Sequence, residues 1–276
     1  MSGTAVELRP RAIVAIALTS VVGVFAFLWP LFISPTSGLS HSGDAPLVFA
    51  AILIGVLAVV LAEVSDGGLD TKAVAMLGVL SAVGAALRPL GAGTAGLETV
   101  FFLLILAGRV FGPGFGFILG ATTLAASALI TAGVGPWLPF QMLAAAWVGL
   151  GAGLLPRAKG APEIVMLCAY GAVSGLLYGA ALNFSFWPFT VQGEQALSFV
   201  AGAPVVENLT RFLAFSLATS LGWDLGRAVT NAVLIALTGR PILASLRRAA
   251  RRASFERAWP HPRHGVWKDD GHGDRR

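Results

Sequence analysis

Asp224 and Arg227 stand three residues apart in an otherwise apolar run, and Asn231 follows four further on. On a helix that spacing puts acid, base and amide on one face, where the charges can meet. Within hydrocarbon an ionised side chain is costly unless it is paired or working, so the stripe reads as a self-neutralised pair or as a proton relay. A second set of residues borders the apolar runs: Arg88, Glu98, Trp137, Gln141, Asn183, Trp187, Glu194, Asn208 and Arg211. Aromatic walls with a few polar anchors are the usual recipe for holding a small organic solute. The candidate substrate contacts are Glu98, Trp137, Gln141, Asn183, Trp187, Asn208 and Arg211, with anchoring at the headgroup level as the competing role.

Other chemistries find no support. The single cysteine, Cys168, lies in an apolar stretch and excludes an intramolecular disulfide. Of the four histidines, His261, His264 and His272 fall in a polar tail and only His41 lies elsewhere, so no metal site is expected. No paired carboxylates, histidine cluster or activated serine share a face, so no catalytic residue is assigned and the chain does not read as an enzyme. Gly91, Gly93 and Gly96 match GxGxxG, but they follow a run closed by Arg88 and Pro89 rather than a buried strand, and read as a loop. None of the three lysines, Lys72, Lys159 and Lys268, follows a Walker glycine pattern. No cofactor is expected in this chain, and ATP-driven work requires another subunit.

The elements that must position these residues are set by composition. Of 276 residues 56% are hydrophobic and 12% charged, with a mean hydropathy of +0.78, against ~25% charged in an average soluble domain. The natural solvent is a bilayer. A crossing needs about 20 apolar helical residues, and runs of that kind occupy 12–34, 47–62, 71–87, 97–110, 114–132, 138–155, 163–182 and 208–237. The first is preceded by Arg9 and Arg11 and reads as a retained helix rather than a signal peptide. Residues 110–156 carry no charge and must fold back, with the break at Gly133-Val134-Gly135-Pro136. Phe111-Gly112-Pro113-Gly114-Phe115-Gly116, with three glycines and a proline, reads as a hinge or tight inner turn.

Ten of the 19 Lys and Arg residues lie at or beyond Arg240. With eight crossings and both termini in the cytoplasm, 17 of the 19 fall on the cytoplasmic side, Arg227 among them in the inner half of the last helix. The expected location is the cell membrane, with the basic tail forming a short amphipathic helix against anionic lipid. Outside that tail basic and aromatic residues do not interleave, so nucleic acid is not an expected partner.

The fold expected is therefore all-α, a polytopic membrane helix bundle. It divides into two N-terminal transmembrane helices and an acidic link over 1–70, a six-helix core over 71–240 and a basic cytoplasmic tail over 241–276. The first core helix carries Gly78, Ala82 and Ala86 at spacing four. Small residues at that spacing let another helix approach closely, either within this chain or from a partner.

From Lys72 to Leu237 the order of features resembles the substrate-binding S component of energy-coupling factor (ECF) vitamin transporters. The resembling pieces are GVLSAVGAA (Gly78 to Ala86), ETVFFLLILAGRVFGPGFGFILGATT (Glu98 to Thr123) and GLGAGLLPR (Gly149 to Arg157). The resemblance implies a six-helix S-component-like unit that captures a vitamin or related micronutrient near the outer face, cobalamin-type import being the leading expectation. It also implies a T-type transmembrane subunit and two cytoplasmic ATPases as partners, with Gly78, Ala82 and Ala86 meeting the T subunit. The two leading helices and the basic tail depart from that pattern. A self-sufficient proton-coupled carrier using Asp224 is the alternative.

Overall fold

Every regular element among the described residues is a helix. The computed structural model describes residues 10–32, 50–51, 53–55, 57–58, 61–62, 71–91, 96–190 and 196–255. The chain order is α1 (Pro10–Phe27), α2 (Thr71–Leu87), α3 (Phe101–Phe111), α4 (Pro113–Ile130), α5 (Leu138–Leu154), α6 (Ala161–Thr190), α7 (Val205–Thr219) and α8 (Leu221–Phe255). Single turns of 3-10 helix follow α1 at Trp29–Phe32 and α2 at Arg88–Gly91. The crossing expected over 47–62 lies only partly within the described residues; those described between 50 and 62 are helical, with Leu53 and Leu57 buried.

Five helical segments are long and apolar enough to cross a membrane: Pro10–Phe27, Thr71–Gly91, Pro113–Ile130, Ala161–Thr190 and Leu221–Arg252, with α3 and α5 shorter but apolar. Their outward faces carry Ile13, Leu18, Val79, Val83, Leu177, Val229 and Leu237, all exposed. Such a surface is stable only in lipid. The chain is a multi-pass helical membrane protein.

Glycines set the closest contacts. Hydrocarbon gives helices no hydrophobic reason to associate, so packing depends on how near their backbones can come. A Cβ on Gly116 would stand 2.2 Å from the Gly149 carbonyl oxygen, one on Gly149 2.1 Å from that of Gly116, and one on Gly120 2.3 Å from that of Ala145. The α4–α5 pair is thereby locked backbone to backbone. Gly112, at φ +97°, ends α3, and Pro113 opens α4 with no further linker, so the expected tight turn is one residue long. The break expected near Gly133 is also found, between Ile130 and Leu138.

On the flank, α1 lies against α5: Phe27 meets Phe140 edge to face at 5.1 Å, and the Trp147 indole N–H donates to Ser20 Oγ at 3.0 Å. α2 packs against α4 through Ser81, whose Oγ lies 2.8 Å from Thr122 Oγ1, and through Gly84, where a Cβ would meet Thr123 Cγ2 at 2.6 Å.

Three expectations are corrected at the C-terminal end. The single helix expected over 208–237 begins at Val205, is interrupted at Ser220 (φ −121°, ψ −15°) and runs on to Phe255. Helical bonds continue across the interruption, Ser220 N–H to Ser216 O and Asp224 N–H to Ser220 O, both at 3.0 Å, so the joint is a kink rather than a loop. Second, the basic segment after Arg240 is no separate amphipathic helix. It extends α8 through Pro241, because Leu243 and Leu246 pack into the main core and hold it there. Third, the span expected over 163–182 continues to Thr190. α8 alone spans ~52 Å at 1.5 Å per residue, well beyond a ~30 Å hydrocarbon core.

Candidate functional site

The polar stripe of α8 is seated on three glycines of α6 at spacing four, Gly171, Gly175 and Gly179. A Cβ on Gly179 would stand 1.8 Å from Asp224 Oδ1, and one on Gly175 would stand 3.2 Å from Asn231 Nδ2. Only a helix face without side chains leaves room there. The Arg227 guanidinium donates to Asp224 Oδ1 at 2.8 Å, to Glu98 Oε1 at 2.9 Å and to the Gly175 carbonyl at 3.2 Å, and it lies 5.2 Å from the centre of the Tyr178 ring. Asn231 donates to the Gly171 carbonyl at 3.1 Å. One cation thus joins two carboxylates from different parts of the chain. Buried Arg227 Nε and Asn231 Oδ1 have no hydrogen-bond partner among the described residues.

This contact overturns the expected place of Arg227. The kink at Ser220 restarts the helix so that Arg227 falls in the second turn of α8, level with Glu98 just before α3. It therefore belongs with Arg88 and Glu98, at the end opposite the arginines of the α8 C-terminus.

Beside this cluster, Arg88 turns inward from the 3-10 turn after α2. Its Nη1 donates to Ser127 Oγ of α4 at 3.2 Å and its Nη2 to Gln141 Oε1 of α5 at 3.1 Å. Ser127 is fully buried. Thr99 Oγ1 donates to the Leu87 carbonyl, which holds the Glu98 segment beside Arg88. Two of the GxGxxG glycines serve packing here: a Cβ on Gly91 would collide with the Leu97 carbonyl, and one on Gly96, at φ +79°, with the Trp223 carbonyl; Gly93 lies outside the described residues.

The other expected contacts are placed as follows. Trp187 is fully buried, its indole N–H donating to the Leu197 carbonyl at 2.7 Å, among Phe184, Phe212 and Phe215. Asn208 closes the link before α7 on itself, accepting from the Val200 N–H at 3.1 Å and donating to the Val200 carbonyl at 2.9 Å. Asn183 is half-buried on α6. Trp137 is exposed, with its indole N–H 3.2 Å from the Gly133 carbonyl, and Arg211 forms an exposed pair with Glu207 one turn away. Glu194 lies outside the described residues. Of the seven candidate contacts, then, Glu98 and Gln141 are drawn into the central polar group, Trp187 and Asn208 are engaged in packing and loop closure, Asn183 and Arg211 are half-buried, and Trp137 faces outward. Sequence reasoning overlooked Tyr178, Ser127 and the α6 glycines; the spacing-four glycines opposite a polar helix stripe were the available signal.

Gly78, Ala82 and Ala86 lie together on the exposed face of α2, and a Cβ on Gly78 would meet nothing within 4 Å. The same helix buries Ser81, Gly84 and Ala85 against the bundle.

A second charged group sits at the other end. Buried Glu163, in the first turn of α6, accepts from Arg109 Nε at 2.8 Å and from Arg247 Nη2 at 2.6 Å, while Arg109 also donates to the Leu155 and Ala158 carbonyls at 2.9 and 3.4 Å. Arg227 and Arg247 are 20 residues apart on α8, ~30 Å along the axis. The two clusters are separated by about the thickness of a hydrocarbon core. No group of three metal-ligating side chains occurs among the described residues.

Fold and charge placement define a multi-pass membrane protein with a polar cluster at each end. No family model matches the chain, and no curated protein or solved structure matches it either.

Proposed function

We propose that the chain is the membrane-embedded solute-binding subunit of an ATP-dependent importer of the ECF type, taking up a vitamin or related micronutrient. The carrying observation is the two-faced α2. Its inner face is committed to α4 through Ser81 and Gly84, whereas Gly78, Ala82 and Ala86 form a shallow outer strip suited to a helix of a partner subunit. Energy comes from outside the chain, since the sequence holds no nucleotide-binding motif. The solute meets the end that carries Arg88, Glu98 and Gln141, and both termini with the basic end of α8 face the cytoplasmic ATPases.

Purification of the tagged chain from its native membranes tests the reading. A T-type subunit and two ATPases co-purify with the wild type, and Ala82→Trp loses them while remaining folded. Unchanged co-purification by Ala82→Trp contradicts the proposed interface.

The second reading, a proton-coupled carrier, draws on Asp224 and Glu98, two carboxylates sharing one arginine between α8 and α3. Under it, the chain alone in proteoliposomes accumulates solute when given only a proton gradient, and Asp224→Asn stops accumulation. Uptake that needs ATP hydrolysis by partner subunits rules it out.

A further inference from the structure

We infer that Arg88, Gln141 and Ser127 form an oxyanion receptor, and that the solute presents a carboxylate or similarly sized anionic group to it. The inference rests on the solute-binding reading for the identity of the occupant, and on the donor count for its charge. A guanidinium has five N–H donors and no acceptor, a carboxamide two donors, a hydroxyl one. Arg88 places one Nη1–H on Ser127 Oγ and one Nη2–H on Gln141 Oε1. Those two bonds fill one acceptor on each partner and use neither partner's own hydrogen. What remains is a group of donors from two elements, the further N–H groups of Arg88 and the Gln141 NH2, with no acceptor among the described residues, while fully buried Ser127 anchors the guanidinium from behind.

The charge points the same way. Arg88 has no carboxylate within ion-pair distance among the described residues, while Glu98 gives its Oε1 to Arg227 at 2.9 Å. A long arginine at the edge of a bilayer ordinarily extends its head to water. Arg88 does the reverse, reaching a serine with no exposed surface. An inward arginine held by two neutral acceptors keeps its fork orientation and its full charge for a third partner. A planar carboxylate matches that fork in a bidentate manner. Trp137 lies one turn before Gln141 at the mouth of α5, its exposed ring folded back over the Gly133–Gly135 turn.

The test uses benzoate and benzamide, equal in size and differing in charge, with the full chain in nanodiscs of phosphatidylcholine. Binding is followed by ligand-observed NMR. Wild type is expected to prefer benzoate by about tenfold or more, as loss of a charge-assisted hydrogen bond would dictate. The preference disappears in Arg88→Gln and falls partly in Gln141→Leu, both checked for folding by their unfolding temperatures; Arg88→Lys, which keeps the charge without the fork, retains a reduced preference. Equal binding of the two probes by wild type, or a preference that survives Arg88→Gln, overturns the proposal. Nanodiscs with added phosphatidylglycerol give the lipid arm: if that lipid removes benzoate binding and is itself retained only when Arg88 is present, the receptor belongs to a headgroup and the solute assignment fails. Benzoate binding involves no ATPase, so failure here is distinguishable from failure of the importer reading.

Discussion

The two charged ends of the bundle are near mirror images in charge and opposites in completion. At the basic end one buried carboxylate, Glu163, holds two arginines, and Arg109 is further satisfied by two carbonyls. At the other end one buried arginine, Arg227, holds two carboxylates, yet among the described residues its Nε and the Asn231 Oδ1 have no partner, and the Arg88 group beside it has donors to spare. The basic end reads as a fastening that ties α3, α6 and the extension of α8 together. The opposite end is held less completely, and incompletely satisfied polar groups in a membrane protein are where a ligand has something to gain.

The comparison is broken most forcefully at Glu163. Glu163→Gln leaves Arg109 inside the fold without a counter-charge and is expected to lower stability by about 3–5 kcal/mol, read as thermal unfolding in detergent. Arg247→Gln keeps the Arg109 partner and removes only a half-exposed arm, so a loss near ~1 kcal/mol is expected. Equal losses from the two variants would mean that the fastening is not centred on the carboxylate.

At the opposite end Asp224→Asn is milder, because Glu98 still faces Arg227; the expectation is about 1–2 kcal/mol by the same measurement. Gly179→Ala sharpens the point by pushing a methyl into the position of Asp224 Oδ1, with an expected cost of about 1–3 kcal/mol. Ala82→Trp, on the outward face of α2, should leave the unfolding temperature unchanged while abolishing co-purification of partner subunits. The smallest effect belongs to Arg211→Ala, whose exposed pair with Glu207 contributes within about 0.5 kcal/mol.

Much of the helical frame was legible in the sequence, since uncharged runs punctuated by Gly112-Pro113 and by Gly133 to Pro136 admit few alternatives in lipid. The pairing of Asp224 with Arg227 followed from helical spacing alone. Its third member did not: Glu98 and Arg227 are 129 residues apart, and no local pattern reports a contact made by tertiary packing. The kink at Ser220 was equally hidden, because the helical bonds run through it and Gly222, two residues on, is one of many glycines within the apolar runs. For the opposite reason α8 read as ending near Leu237: Gly239, Arg240 and Pro241 follow in the pattern of a helix stop, although Leu243 and Leu246 already carried the spacing of a packed helix face. Trp187 and Asn208 looked like ligand contacts because they are polar or aromatic beside an apolar run; loop closure draws on the same residue types, and only the positions of Leu197 and Val200 separate the two roles.

Side-specific labelling tests most directly the claim that the two ends face opposite sides of one membrane. With Cys168 replaced by Ser, a cysteine at Trp137 and, in a second variant, one at Arg248 are exposed in intact cells to a membrane-impermeant maleimide. The account expects the Trp137 position to react from outside and the Arg248 position to react only after permeabilisation. Labelling of both positions from the same side, or of Arg248 alone in intact cells, would contradict it.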